Sequence, residues 1–147
     1  MEVIIALILS IALEFNIPPY FALSIAYIEN ETLDPLAVNV NKNGTRDLGV
    51  MQVNSSWFKG DWKDPETNIR AGCQHIKKII EIPEITTYWQ AAICYNAGTA
   101  WFQTGNPPAS SLAYADKVID KWNELTKGKA LTVIGRERWG YYQKREQ

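Results

Sequence analysis

Glu29 follows an apolar helical run, Leu23 to Ile28, so its carboxyl is expected at the edge of a core. Partial desolvation disfavours the charged form and raises a carboxyl pKa. A carboxylic acid still protonated near neutral pH can give its proton to a leaving glycosidic oxygen. The plain alternative is a solvated glutamate at a helix end, and Glu31 stands two residues further on. Cys73, Cys94 and the single histidine, His75, lack the four-ligand pattern of a structural zinc site, so neither a metal nor another cofactor is expected. The two cysteines sit in apolar helical contexts and read as buried free thiols, with a disulfide as the alternative.

The elements that must position these groups are mostly helical. A first helix is expected from Glu2 to Phe15, closed by Pro18-Pro19. A second, from Pro19 to about Asn30, carries Phe21, Leu23, Ile25 and Ile28 on all sides, which marks a buried central helix. The Asn-rich stretch from Asp34 to Asp47 reads as a polar loop with a turn at Asn43-Gly44. Leu48 to Val53 is either a small strand or irregular core-lining chain. Asp64-Pro65 starts a helix, with Asp as N-cap and Pro at the first helical position. That helix places Ile69, Cys73, Ile76 and Ile80 on one face and ends before Pro83. Another runs from about Thr86 to Asn96 and stops at Gly98. A last long helix starts at Ser110 or Ser111 and reaches Thr126. Residues 128–147 form an extension, expected to be helical in its last part.

Four segments in order resemble the soluble lytic transglycosylase catalytic domain of the lysozyme-like superfamily. They are Ile25-Ala26-Tyr27-Ile28-Glu29 with Leu33-Asp34-Pro35 and Ala37; Asn43 to Asn54 with its Gly49-Val50-Met51-Gln52 core; Ile93 to Gly98; and Tyr114 to Val118. Asp64-Pro65, Asn68-Ile69 and Gly72 are similar to the family's intervening helix. The surroundings of Gly49 to Gln52 look most like the small transglycosylases associated with secretion machines. The likeness covers roughly residues 11–122, within a single domain whose core spans about 11–127. It implies a mainly α, lysozyme-like domain with a small loop and β region beside an active-site groove. Two positions depart from the family pattern. Asn30 replaces the serine usual after the glutamate. The interval from Glu29 to Pro35 is one residue longer than usual, so counting back from Pro35 falls between Glu29 and Glu31.

The resemblance implies roles. Glu29 is the catalytic acid and base, with Glu31 as the alternative. Asn30 and the Tyr114 hydroxyl support it. Met51, Gln52, Asn54, Tyr95 and Asn96 bind substrate, and Tyr27 and Trp57 are further groove candidates. Gln52 suits sugar hydroxyls because its amide both donates and accepts. The implied substrate is the glycan strand of peptidoglycan, and the implied reaction closes the muramoyl C6 hydroxyl onto C1 to leave a 1,6-anhydro end. Most glycosidases need a second carboxylate; Asp34 and Asp47 are the candidates, and both read as structural loop residues. A goose-type or phage lysozyme that admits water, and an inactive glycan-binding module, are the competing readings.

Composition narrows the rest. The 147 residues carry a net charge of −1, which supplies no basic field for nucleic acid and no polybasic membrane patch. Six Trp and seven Tyr suit sugar stacking as well as core. No Lys or Arg precedes Lys42, so Val3 to Leu13 reads as a core helix rather than a signal peptide or a membrane span. The expected place of action is the cell wall or periplasm, with the export route open. A monomer is expected, with a secretion machine or a phage lysis system as companion.

Overall fold

The computed structural model describes residues 1–135. Helix α1 spans Glu2–Glu14 and α2 Pro19–Glu29; strands β1 Val38–Val40, β2 Arg46–Leu48 and β3 Val53–Asn54 follow. Helices α3 Pro65–Ile80, α4 Tyr88–Ala97, α5 Trp101–Thr104 and α6 Ala109–Thr126 complete the order. The architecture is mainly α with one small sheet, as the sequence implied.

Helix α2 is the centre of the helical body and packs on both α1 and α6. Phe21, Ala22, Leu23, Ser24, Ile25 and Ala26 are all buried in an unbroken run, so from Phe21 to Ala26 no face of the helix meets solvent. Phe21 joins the helices through aromatic contacts. Its ring centroid lies 5.1 Å from Tyr88 of α4 and 5.2 Å from Trp122 of α6, and those two rings meet edge-on at 5.3 Å. Helix α1 buries Ile4, Ile8, Ile11 and Ala12, one helical face, and leaves Val3 and Leu13 exposed. No helix among the described residues is long and apolar enough to cross a membrane.

Side chains set the helix starts. Asp64 caps α3 by accepting from the Thr67 N–H at 3.0 Å, with Pro65 at the first helical position. Thr87 and Gln90 form a reciprocal capping box at the start of α4. Residues 132–134 return to this point: the Tyr88 N–H donates to the Thr132 carbonyl at 3.1 Å, the Ile134 N–H donates to the Thr86 carbonyl at 2.9 Å, and Ile134 is buried.

The region between α2 and α3 differs from the expected loop. It is an antiparallel sheet in the order β1-β2-β3, pairing Val38 with Leu48 and Asp47 with Asn54. The strands were passed over: Val38-Asn39-Val40-Asn41 alternates apolar and polar residues ahead of the Asn43-Gly44 turn, but β1 is exposed along its length, so the alternation marks no buried face. Asn43 acts as a turn residue, its side-chain oxygen accepting from the Thr45 N–H at 3.0 Å. Leu48 to Val53 is neither one strand nor irregular chain. Leu48 ends β2, Val53 begins β3, and a tight turn separates them, with Gly49 at φ +74° and Gln52 at φ +52°. A Cβ on Gly49 would overlap the Asn68 amide and the Trp62 carbonyl, so both its φ and its surroundings require glycine. Helix α5 was not anticipated; it is only four residues long. The helix expected at the end of the C-terminal extension falls within residues 136–147, outside the described residues.

Candidate active site

Glu29 is the last residue of α2, where the buried helix reaches the sheet. Asn30 holds this junction. Its amide donates to the Asp34 carbonyl at 2.9 Å and to the Gly49 carbonyl at 3.3 Å, tying the helix end to the following turn and to the β2–β3 turn. Asn30 is itself buried and is not part of the cleft wall; its contacts are with backbone carbonyls of the junction.

The Glu29 carboxyl opens into a cleft of about 410 Å³. One wall comes from the sheet region: Asp47, Gln52, Asn54, Ser56 and Trp57. The other comes from His75 of α3 and the end of α4, Tyr95 to Gly98. The volume lies in the range typical of small-molecule sites. Burial raises the Glu29 pKa to about 7, the nearby Tyr114 hydroxyl opposes that rise, and the negative charge of Asp47 adds to it. Such a group is divided between acid and base at neutral pH, which suits both halves of general acid–base catalysis.

Tyr114 reaches this site from α6. Its hydroxyl is buried and has no hydrogen-bond partner among the described residues, while the Glu29 carboxyl is close enough to act on its titration. An orphaned buried hydroxyl is uncommon and marks a group that a substrate or a shift of the carboxyl would satisfy. Burial, with the Glu29 charge as a second cause, pushes the Tyr114 pKa well above its ordinary value. Tyr114 therefore acts as a donor and not as an anion.

The turn carrying Gln52 is held from three sides. The Gln52 amide nitrogen donates to the Ala37 and Gly49 carbonyls at 3.2 and 3.0 Å, and among the described residues its amide oxygen is uncommitted beside the cleft. Asn68, fully buried on α3, accepts from the Met51 N–H at 2.8 Å and donates to the Leu48 carbonyl at 2.8 Å and the Trp62 carbonyl at 3.2 Å. The Tyr95 hydroxyl donates to the Met51 carbonyl at 2.8 Å. Asn54 holds Asp47, donating to its Oδ1 at 2.9 Å across the β2–β3 pair.

The structure brings together most of the residues read from the sequence and corrects several. Glu29, Gln52, Asn54, Tyr95, Asn96 and Trp57 line one cleft. Met51 does not: its side chain is fully buried, against Gly72 and within the core, so it offers a ligand no surface. Tyr95 contributes its ring, since its hydroxyl is committed to Met51. Asn96 is exposed, and its Oδ1 accepts from the Ser111 hydroxyl at 2.7 Å, which leaves the amide nitrogen toward solvent. Tyr27 lies beneath the Lys121 ammonium, 5.3 Å from its ring centre, and is not in the cleft wall. Glu31 is exposed beyond the helix end, outside the cleft. Asp34 is turn chemistry, accepting from the Leu36 N–H at 2.9 Å. Asp47, read from sequence as structural, lines the cleft and acts on Glu29. His75 and Ser56 were not anticipated; each carries a common side chain with no local signal of its role.

Cys73 and Cys94 are buried free thiols, in line with the reading from sequence. Among the described residues no three His, Cys, Asp or Glu side chains group as a metal site requires.

Comparison with known proteins places this geometry. The family model described as the transglycosylase SLT domain matches residues 6–105, a span that carries Glu29 and both cleft walls. Invasion protein IagB of Salmonella typhi is 29% identical over 123 residues, covering 76% of this chain and 71% of the relative. The same protein from Salmonella typhimurium strain SL1344 matches to the same extent. No solved structure matches the chain.

Proposed function

This chain belongs to the transglycosylase SLT domain family, and on that premise we propose that it is a peptidoglycan lytic transglycosylase with Glu29 as its sole acid and base. The observation that supports this most directly is a partly buried carboxyl with a pKa near 7, set in a cleft large enough for sugar rings. Protonated Glu29 gives its proton to the oxygen linking N-acetylmuramic acid to N-acetylglucosamine, and that bond breaks. The muramoyl acetamido oxygen stabilises the oxocarbenium-like centre. Glu29, now a carboxylate, takes the proton of the muramoyl C6 hydroxyl as its oxygen bonds to C1. The proton count closes, and no water is consumed. General acid–base action of this kind contributes roughly 10²–10⁴-fold. Tyr114 orients the carboxyl, and Gln52, Asn54, Tyr95 and Asn96 line the path of the strand.

One observation favours a second reading. Asp47 places another carboxylate in the same cleft. A retaining hydrolase needs its two carboxyl groups about 5–5.5 Å apart and an inverting one about 6.5–9.5 Å apart. In the hydrolytic reading Asp47 stabilises the sugar cation or activates water. The mass of the fragments released from purified peptidoglycan decides between them. The transglycosylase reading expects 1,6-anhydromuramoyl ends, one water lighter than lysozyme products; reducing ends as the main product would replace it with hydrolysis.

The place of action follows from the substrate and is the cell wall. We further propose that the enzyme works as a monomer beside a larger machine that must pass the wall. The designation of the Salmonella relatives as invasion proteins is in keeping with that, a phage lysis system being the alternative.

A further inference from the structure

A second pocket adjoins the cleft. It has a volume of about 470 Å³ and is lined by Trp57, Phe58, Ala71, Gln74, His75 and Lys78. Trp57 and His75 belong to both cavities, and their stacked rings, 5.0 Å apart at 29°, form the partition between them. The two spaces differ in charge. The cleft holds two carboxylates, Glu29 and Asp47, whereas the pocket holds none and has the Lys78 ammonium at its edge. Among the described residues Lys78 is in no ion pair; the neighbouring Lys77 is the one that meets Glu81. Gln74 and Lys78 are exposed and one helical turn apart on α3, so both can donate to the same group. His75 is half-buried, and burial together with the Lys78 charge holds its pKa below the usual value, which leaves a neutral imidazole as a further donor.

A glycan strand in the cleft carries substituents that must leave it. The muramoyl residue bears a lactyl group and a stem peptide with free carboxylates. We infer that the pocket beyond the Trp57–His75 pair receives a stem-peptide carboxylate, with Lys78 as the charge partner and Gln74 as a second donor. This deepens the peptidoglycan reading and rests on it. It gives a chain of net charge −1 a local means of recognising an anionic polymer. An exposed ion pair contributes a modest, salt-sensitive preference, roughly two- to fivefold in affinity.

The test measures binding on the full chain carrying E29Q, so that the ligands survive. Three oligosaccharides of equal length are compared: chitin oligomer, amidase-stripped glycan with only its lactyl carboxylate, and stem-bearing glycan. The expected result is tighter binding of stem-bearing over stripped glycan, a ratio that falls to about one with K78Q, persists with K78R and shrinks in high salt. A ratio of one in the parent protein overturns the inference, as does a ratio that K78Q leaves unchanged. A gain that appears in full between chitin and stripped glycan also overturns it, because the lactyl group would then be the anion bound. Wall lysis by the unmodified chain is scored separately. A chain that binds stem-bearing glycan through Lys78 but lyses nothing would defeat the enzymatic reading while upholding the pocket.

Discussion

The carboxylate of Asp47, on β2, faces the same cleft as Glu29, at the end of α2, and its charge helps keep Glu29 protonated. The two residues are eighteen positions apart in sequence and belong to different layers of the fold. Burial of Glu29 is the larger cause of its raised pKa, and Asp47 reinforces it, whereas Tyr114 works in the opposite sense. This three-way balance makes the site open to test by pH.

E29Q is nearly isosteric and removes the titrating proton. Lytic activity on purified walls should fall by roughly 10²–10⁴-fold, while the circular dichroism spectrum stays that of the parent. A variant retaining more than about a tenth of the activity would remove Glu29 from the mechanism.

The same substitution changes the pH dependence of stability. The Glu29 pKa is near 7 in the folded chain and near 4.5 as an unperturbed group. A raised folded pKa means that its contribution is fully present below about pH 4.5 and is lost as pH rises through 7. E29Q escapes that loss. Its stability relative to the parent should therefore grow from pH 4.5 to 7 and then level off, by on the order of 3 kcal/mol at most. Urea titrations at several pH values measure this; a constant difference across the range would show that the carboxyl is not desolvated.

D47N and Y114F should move the basic limb of the kcat/KM profile in opposite directions. Removing the Asp47 charge lowers the Glu29 pKa, so the acid is lost at lower pH. Removing the Tyr114 hydroxyl takes away a group that favours the carboxylate, so the acid persists to higher pH. D47N should also keep the anhydro product. A loss of two orders of magnitude or more in D47N, without a shifted limb, would instead assign Asp47 a direct role in hydrolysis.

N68A should destabilise the chain and disarm the site together. It leaves the Met51 N–H and the Leu48 and Trp62 carbonyls without their buried partner. Each unsatisfied group costs about 1–3 kcal/mol, so a fall in thermal midpoint of several degrees is expected. An unchanged midpoint would mean that the β2–β3 turn holds its shape without α3.

Cys73 and Cys94 should be slow to react in the native chain and should both titrate once it is denatured without reductant. Burial pushes the Cys73 thiol up to about 12 and raises that of Cys94, which also accepts from the Trp101 indole N–H at 3.3 Å. A count of zero thiols after denaturation would mean a disulfide.

Helix α2, its catalytic candidate and the Asn43-Gly44 turn were legible in the sequence because each is a local matter. An apolar run on every side of a helix can only be buried, and a glutamate at its end can only emerge where the core stops. The Asn43-Gly44 turn and the Asp64-Pro65 start are similarly dictated by backbone conformation and capping within a few residues. Whether Asp47 joins the cleft is a question of a different kind. It depends on pairing Asp47 with Asn54, and a slip of one residue would turn the side chain to the other face. β1 alternates Val and Asn but buries neither face, and β2 has no apolar alternation, so nothing local sets that register and the sequence left Asp47 unplaced. Met51 was misjudged for the converse reason: it sits beside a cleft residue in the chain, but the contact with Gly72 of α3 draws it into the core. His75 meets Trp57, and Ser111 meets Asn96, only because α3 packs against β3 and α4, and α4 against α6. Residue type and spacing determined which groups could do chemistry; the packing of distant elements decided which of them share a cavity, since burial and facing are properties of contacts that no local stretch of chain contains.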